Sequence, residues 1–187
     1  MNASATTQGS SGTVSGERAE LITLLERHRG FLLHTAQGLT DEQARTASTV
    51  SALTIASLLK HVADTEEQWF RFAIDGAAAF GGAEEGVDWS AVEADPDAFV
   101  DTRFVLAEHE TLEYLRNRTE QVAARTEEVL RSADLDSAHD LPVAPWFEPG
   151  ARWSVRRVAL HMIAEISQHS GHADIIREAI DGQRTMG

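Results

Sequence analysis

The sequence predicts an all-α fold, a four-helix bundle, and two observations carry that prediction. Four long segments repeat apolar residues at helical spacing, and no segment shows the alternation of a half-buried strand. The 187 residues, 42% of them hydrophobic, suffice for one domain with a sizeable core. Residues 16–187 are assigned to that domain. Met1 to Ser15, rich in Ser, Thr, Gly and Ala, lack the basic and apolar regions of a signal peptide and read as a disordered tail.

Taken in order, the first helix covers Glu17 to Gln37, with Leu21, Leu24, Leu25, Phe31 and Leu32 at helical spacing and Gly38 as its stop. Thr40-Asp41-Glu42-Gln43 is a capping-box pattern and predicts a short helical turn. The second long helix covers Thr54 to Ile74, where Leu58, His61, Thr65, Trp69 and Phe72 share one face. Asp64, Glu66, Glu67 and Gln68 fall mostly elsewhere and read as solvated. Ala77 to Pro96 breaks into Gly, Ala and acidic residues, a loop long enough for a crossover or lid, anchored by Phe80 and Trp89. The third helix covers Ala98 to Arg131, with Phe99, Phe104, Leu106, Leu112, Leu115, Val122 and Val129 facing the core and His109 exposed. Ser132 to Arg152 is irregular, because its prolines resist helix continuation. The last helix covers Trp153 to Ile180, capped by Ser154 and stopped by Gly182.

That last helix carries His161, Glu165, His169 and His172 within roughly an 80° arc. Val158 and Ile176 share the arc, so these polar groups face a core and need partners. A divalent metal is one such partner. His61 supplies a ligand from the second helix, and two overlapping pairs on the last helix, His161 with Glu165 or Glu165 with His169, have the spacing to complete the set. Spacing does not choose between them. Two histidines and a glutamate suit zinc, with nickel or iron accommodated, and three protein ligands leave a position for water or substrate. His28, His34 and His139 stand isolated and read as ordinary residues. Trp69, Trp146 and Trp153 read as packing residues, and Arg156 and Arg157 as solvated ones.

Sixteen basic against 30 acidic residues give a net charge of −14, which disfavours nucleic acid and anionic membrane surfaces. The absence of cysteine excludes disulfides, thiolate ligands and a cysteine nucleophile, so any thiol must come from outside. No run approaches the roughly 18 apolar residues of a membrane span. A soluble cytoplasmic protein is expected.

Leu160-His161-Met162-Ile163, Glu165, and His169-Ser170-Gly171-His172-Ala173-Asp174 onward to Asp181-Gly182 resemble the C-terminal signature of the DinB-like superfamily, in its actinobacterial branch near mycothiol-dependent maleylpyruvate isomerase. Leu53-Thr54 through Leu58-Leu59-Lys60-His61-Val62-Ala63 resembles the same family's second-helix motif. The resemblance implies an up-down-down-up bundle with long crossover connections. It also implies a divalent metal held by one histidine of the second helix and two ligands of the last. Aligning His169-Ser170-Gly171 with the family's His-Arg-Gly places the other ligand at Glu165, a position where many members carry histidine. The glutamate resembles the isomerase arrangement and favours His61, Glu165 and His169 as the metal ligands. His161 and His172 then become supporting residues able to relay protons in catalysis.

The expected function is that of a metal-dependent enzyme of thiol transfer or thiol-assisted isomerisation. Its substrate would be a small molecule, and its cofactors a metal and a low-molecular-weight thiol such as mycothiol. A metal-dependent hydrolase using the same centre and a non-catalytic metal- or small-molecule-binding stress protein are the alternatives. Bundles of this kind commonly pair, so a homodimer is also expected.

Overall fold

The computed structural model describes residues 16–80, 102–143 and 147–185. The N-terminal tail, Trp89, Phe99 and Trp146 lie outside these. Helices α1 (Glu17–Thr35), α2 (Asp41–Ala44), α3 (Ile55–Asp75), α4 (Leu112–Ser132) and α5 (Val155–Asp181) are joined by single 3₁₀ turns at Gly76–Phe80 and Thr102–Phe104 and by a two-stranded ribbon.

Local chemistry sets the ends of these helices. Thr40 and Gln43 form the expected capping box, and Thr54 and Ser57 form another, each side chain accepting the other's backbone N–H. Ser154 Oγ accepts the Arg157 N–H at the start of α5, and Gly182, left-handed at φ 78°, ends it.

Side-chain contacts fix the helix directions. The Arg18 guanidinium meets the Leu130 carbonyl while Arg116 donates to the Ala36 carbonyl at 2.6 Å, so α1 and α4 run antiparallel. Glu17 pairs with Arg156 and the Thr35 carbonyl with Arg177, so α1 and α5 run parallel. Lys60 reaches Glu110 just before α4, and Glu67 reaches Arg118 and Arg125 further along it, so α3 and α4 are parallel. His61 meets Glu165 and Trp69 meets His161, so α3 and α5 are antiparallel. The result is the up-down-down-up bundle, with α1 diagonal to α3. Leu25, Leu32, Leu58, Leu59, Phe72, Leu115, Leu130, Met162 and Ile166 fill its centre, fully buried.

Parallel α3 and α4 require a connection that travels the length of the bundle, and its end corrects the sequence reading. The third helix begins at Leu112 under a Thr111 cap rather than at Ala98. The Arg45 guanidinium takes the carbonyls of Ala107 and Glu110 at 2.7 and 3.0 Å. The Glu110 carboxylate takes the Ala107 N–H at 2.6 Å, and Asp41 takes that of Leu112 at 2.6 Å. Backbone groups that a helix would pair internally are thus held by side chains. Phe104 and Leu106 still pack on the core, Phe104 from the 3₁₀ turn and Leu106 from the irregular chain after it.

Three other expectations change. Ala138–Asp140 (β1) and Arg152–Ser154 (β2) pair antiparallel, His139 opposite Trp153, so Trp153 lies in a strand rather than opening the last helix. Glu66, expected at a solvated position, is fully buried, and its Oε2 accepts from Arg29 Nε at 3.1 Å. Arg156 is not simply solvated but bridges Glu17 and Asp136, and these carboxylates raise its pKa. Among the described residues, no helix is long and apolar enough to cross a membrane.

Candidate metal centre

Two helix faces meet at the centre. The α3 stripe predicted from spacing points inward, and His61 on it is 3% exposed. The antiparallel run of α3 and α5 sets Glu165 and His169, neighbours one turn apart, against that histidine. His61 Nε2 and His169 Nε2 both approach the same carboxylate oxygen, Glu165 Oε1, at 3.3 and 3.2 Å. One donor atom from each of the three residues lies within 4.8 Å of the others. Donors bound to one zinc ion at about 2.0–2.1 Å in tetrahedral geometry sit about 3.3 Å apart. The two imidazole-to-carboxylate distances match that spacing, so the donor set fits a divalent metal in both chemistry and size.

The electrostatics agree. Hydrogen bonds from His169 and then His61, against the opposing effect of burial, hold the Glu165 carboxyl well below the usual carboxylate range. The group is anionic and ready to ligate. Glu165 keeps a side-chain exposure of 22%, against 4% for His61 and 12% for His169, so its side chain is the most open of the three.

Each imidazole is steadied differently. His169 Nδ1 faces His172 Nδ1 at 3.5 Å, a contact in which one ring donates and the other accepts. With a metal on Nε2, His169 would carry its proton on Nδ1 and donate it to His172. His61 Nδ1 is buried with no hydrogen-bond partner among the described residues. The Phe104 ring stacks on His61 instead, centroids 4.1 Å apart and 15° from parallel. Spacing had placed Phe104 on the core face of a long helix; no sequence signal showed that its segment would fold back over the centre.

His161 is not in the three-residue group. It stands one turn before Glu165, edge-on to Trp69 and Trp153 at 4.9 and 5.0 Å, while those two indoles stack on each other at 4.7 Å. Trp69 and Trp153 are therefore packing residues, as expected, and what they pack is a histidine. Burial lowers the His161 pKa, with Arg157 acting in the same direction and Glu165 in the opposite one. No hydrogen bond to its ring nitrogens occurs among the described residues. Of the isolated histidines, His28 packs edge-on to Phe31 and His139 sits against Phe72, both away from the three-residue group.

The comparisons with known proteins bear on this arrangement. A search of curated proteins finds no match. A solved structure, the conserved protein of a locus from Enterococcus faecalis, is similar with a TM-score of 0.59 and 16% identity, covering 91% of this chain and 100% of that one. At that identity it shows the shared fold alone. The family model described as mycothiol-S-transferase matches residues 20–182, a span that runs from the first turn of α1 past the end of α5 and holds every residue of the centre. On that match the chain belongs to the mycothiol-S-transferase family, a DinB-like family.

Proposed function

We propose that this protein is a metal-dependent S-transferase that joins a low-molecular-weight thiol, mycothiol or a close chemical relative, to an electrophilic small molecule. The observation that carries this reading is the convergence of His61 and His169 on one oxygen of an ionised Glu165. Family membership supports the thiol, and a chain without cysteine must take its sulfur from a cosubstrate. His61, Glu165 and His169 hold the metal, zinc by preference for this donor set, with nickel or iron as the other fits. When bound, the ion supplies the Lewis acidity that lowers a thiol's pKa into the neutral range.

The remaining work falls to side chains of the chain itself. His161, its pKa lowered by burial and its ring nitrogens without a hydrogen bond among the described residues, takes the thiol proton. The sulfur lone pair forms the S–C bond as the bond from that carbon to the leaving group breaks. The leaving group departs with the electron pair and recovers the proton from His161. With an unsaturated acceptor the same proton goes to the carbon next to the new bond, and reversal after rotation gives isomerisation. Phe104 and the Trp69–Trp153 pair present apolar surface beside the centre, which excludes water competing with sulfur. His172 holds the His169 ring.

Elemental analysis of purified protein, beside a conjugation assay with mycothiol and an alkyl halide, tests this reading. Wild type should carry one metal ion per chain. His61→Ala, Glu165→Ala and His169→Ala should lose it together with activity, while keeping the helical circular-dichroism spectrum. Full conjugation after exhaustive chelation, or metal retained in all three variants, would sink the proposal.

A further inference from the structure

The first turn of α5 carries two adjacent arginines, Arg156 and Arg157, and no acidic residue. Cations are disfavoured there, because the helix dipole places its positive end at the same point. Arg156 is compensated by two carboxylates, Glu17 and Asp136, and on the strand just before it Arg152 holds Asp140 at 2.8 Å. The exposed Arg157 side chain has no ion pair among the described residues, in a chain of 30 acidic and 16 basic residues. The helix thus keeps a cation where its dipole opposes one, without a carboxylate of its own to offset it.

That cation stands beside the candidate metal centre. The Arg157 guanidinium carbon lies over the Trp153 ring, 5.1 Å from its centroid, and the same indole is edge-on to His161 at 5.0 Å. Trp153 is itself stacked on Trp69 at 4.7 Å, so the guanidinium rests on a fixed platform. Contact with an indole face steadies the planar group and leaves its N–H donors, which lie in its own plane, free to bind. Arg157 also acts on His161 electrostatically, lowering its pKa. Along α5, Arg157, His161 and Glu165 follow one another at single turns, so Arg157 is set about 12 Å of helix rise from Glu165.

We propose that the small molecule on which this centre acts carries a carboxylate, and that Arg157 selects for it by holding that group at the outer end of the site. A guanidinium fork takes a carboxylate through two parallel N–H donors, which gives direction as well as charge. With the reacting carbon beside Glu165 and His169, the carboxylate lies roughly 10 Å away, two helical turns along. The substrate is therefore elongated, with methylenes or an aromatic ring between its two ends, passing His161 and the edge of Trp153. The net charge of −14 opposes anions in general, so the preference rests on this contact. The inference depends on the S-transferase reading for the reaction, but not for the binding.

Calorimetric titration of the zinc-loaded full chain with hexanoate and hexanamide, in the absence of thiol, isolates the contact. Hexanoate should bind about tenfold tighter than its neutral amide. Arg157→Gln should bring the two to equal affinity, and Arg157→Lys, which keeps the charge but not the fork, should leave an intermediate preference. With mycothiol present, 6-bromohexanoate should show a KM about tenfold below that of 6-bromohexanamide, and Arg157→Gln should remove that difference while changing kcat less than KM. Failure of hexanoate to bind more tightly than hexanamide would overturn the proposal. A preference for hexanoate that survives Arg157→Gln would overturn it too, by assigning the carboxylate to the metal. Selective hexanoate binding through Arg157, with neither bromide conjugated, would support the carboxylate site and reject the S-transferase reading.

Discussion

His169 presents Nε2 to Glu165 while His172 occupies its other side, and that contact makes a residue-scale prediction. His172→Ala should weaken zinc binding about 10–100-fold with the fold unchanged, whereas His172→Asn, which keeps an acceptor, should retain more of the affinity. Competition with a chromophoric chelator reads both; equal affinity in all three proteins would remove His172 from the site. Single residues were also where the sequence was most and least legible. His61, Glu165 and His169 could be found because helical rotation places each on an inward face. The choice of Glu165–His169 over His161–Glu165 came only from family resemblance, since both pairs share one spacing. The difference lies in how far α5 slides along α3, which local sequence does not encode. Glu66 was misread for a similar reason: its partner Arg29 lies 37 residues earlier on a helix that α3 meets only diagonally.

Among the elements, the β-ribbon depends on the turn that follows α3. Gly76 has φ +69°, and a Cβ there would come within 3.0 Å of His139 Nδ1 on β1. Gly76→Ala should therefore destabilise the protein by about 1–3 kcal/mol, combining left-handed strain with displacement of the ribbon. Because the ribbon carries Trp153 onto Trp69, the near-ultraviolet circular dichroism of the stacked indoles should weaken as well. Stability and spectrum like wild type would show that the ribbon docks without this contact. The α3–α4 pair rests partly on Glu67, whose carboxyl is held low by the Arg118 hydrogen bond, burial opposing and Arg125 adding to it. A depressed carboxylate stabilises above its unfolded value of 4.5, and that contribution is lost as pH falls through the lower folded value. Glu67→Gln should cost about 0.5–1 kcal/mol at neutral pH, a small figure because the side chain is partly solvated, and less at pH 3. Urea unfolding at the two pH values checks this, and a cost that does not shrink on acidification would assign the effect to packing. Helix existence was legible because α3 and α5 open on the side-chain caps Thr54 and Ser154, and α1, which has no side-chain cap, repeats Leu21, Leu25 and Leu32 at helical spacing ahead of Gly38. The start of α4 was not, because half-buried Phe104 and Leu106 extend the apolar pattern ahead of the helix, while the backbone of Ala107 and Glu110 just after them is held by the Arg45 and Glu110 side chains. The ribbon escaped because three-residue strands containing His, Asp and Arg carry no strand pattern.

For the whole molecule, a metal at the centre ties α3 to α5 and should raise the melting temperature in proportion to its binding. At zinc 100-fold above its dissociation constant, the gain is about 2.7 kcal/mol. Differential scanning fluorimetry should show that rise in the wild type, its reversal by chelator, and its absence in His61→Ala and His169→Ala. An equal rise in the variants would point to zinc bound elsewhere. The length of the loop from Ala77 to Pro96 already pointed to a crossover or lid, but the full direction pattern was legible only through family resemblance. That pattern has a consequence in time. His61 and Glu165 are separated by 104 positions, and α5, which brings two of the three ligands, is synthesised after α1 to α4. The site is thus a contact of high sequence separation, formed only once α5 follows the other four helices. A nascent chain that still lacks α5 would hold His61 alone and could not capture the ion, so metal loading reports the docking of α5 on α3.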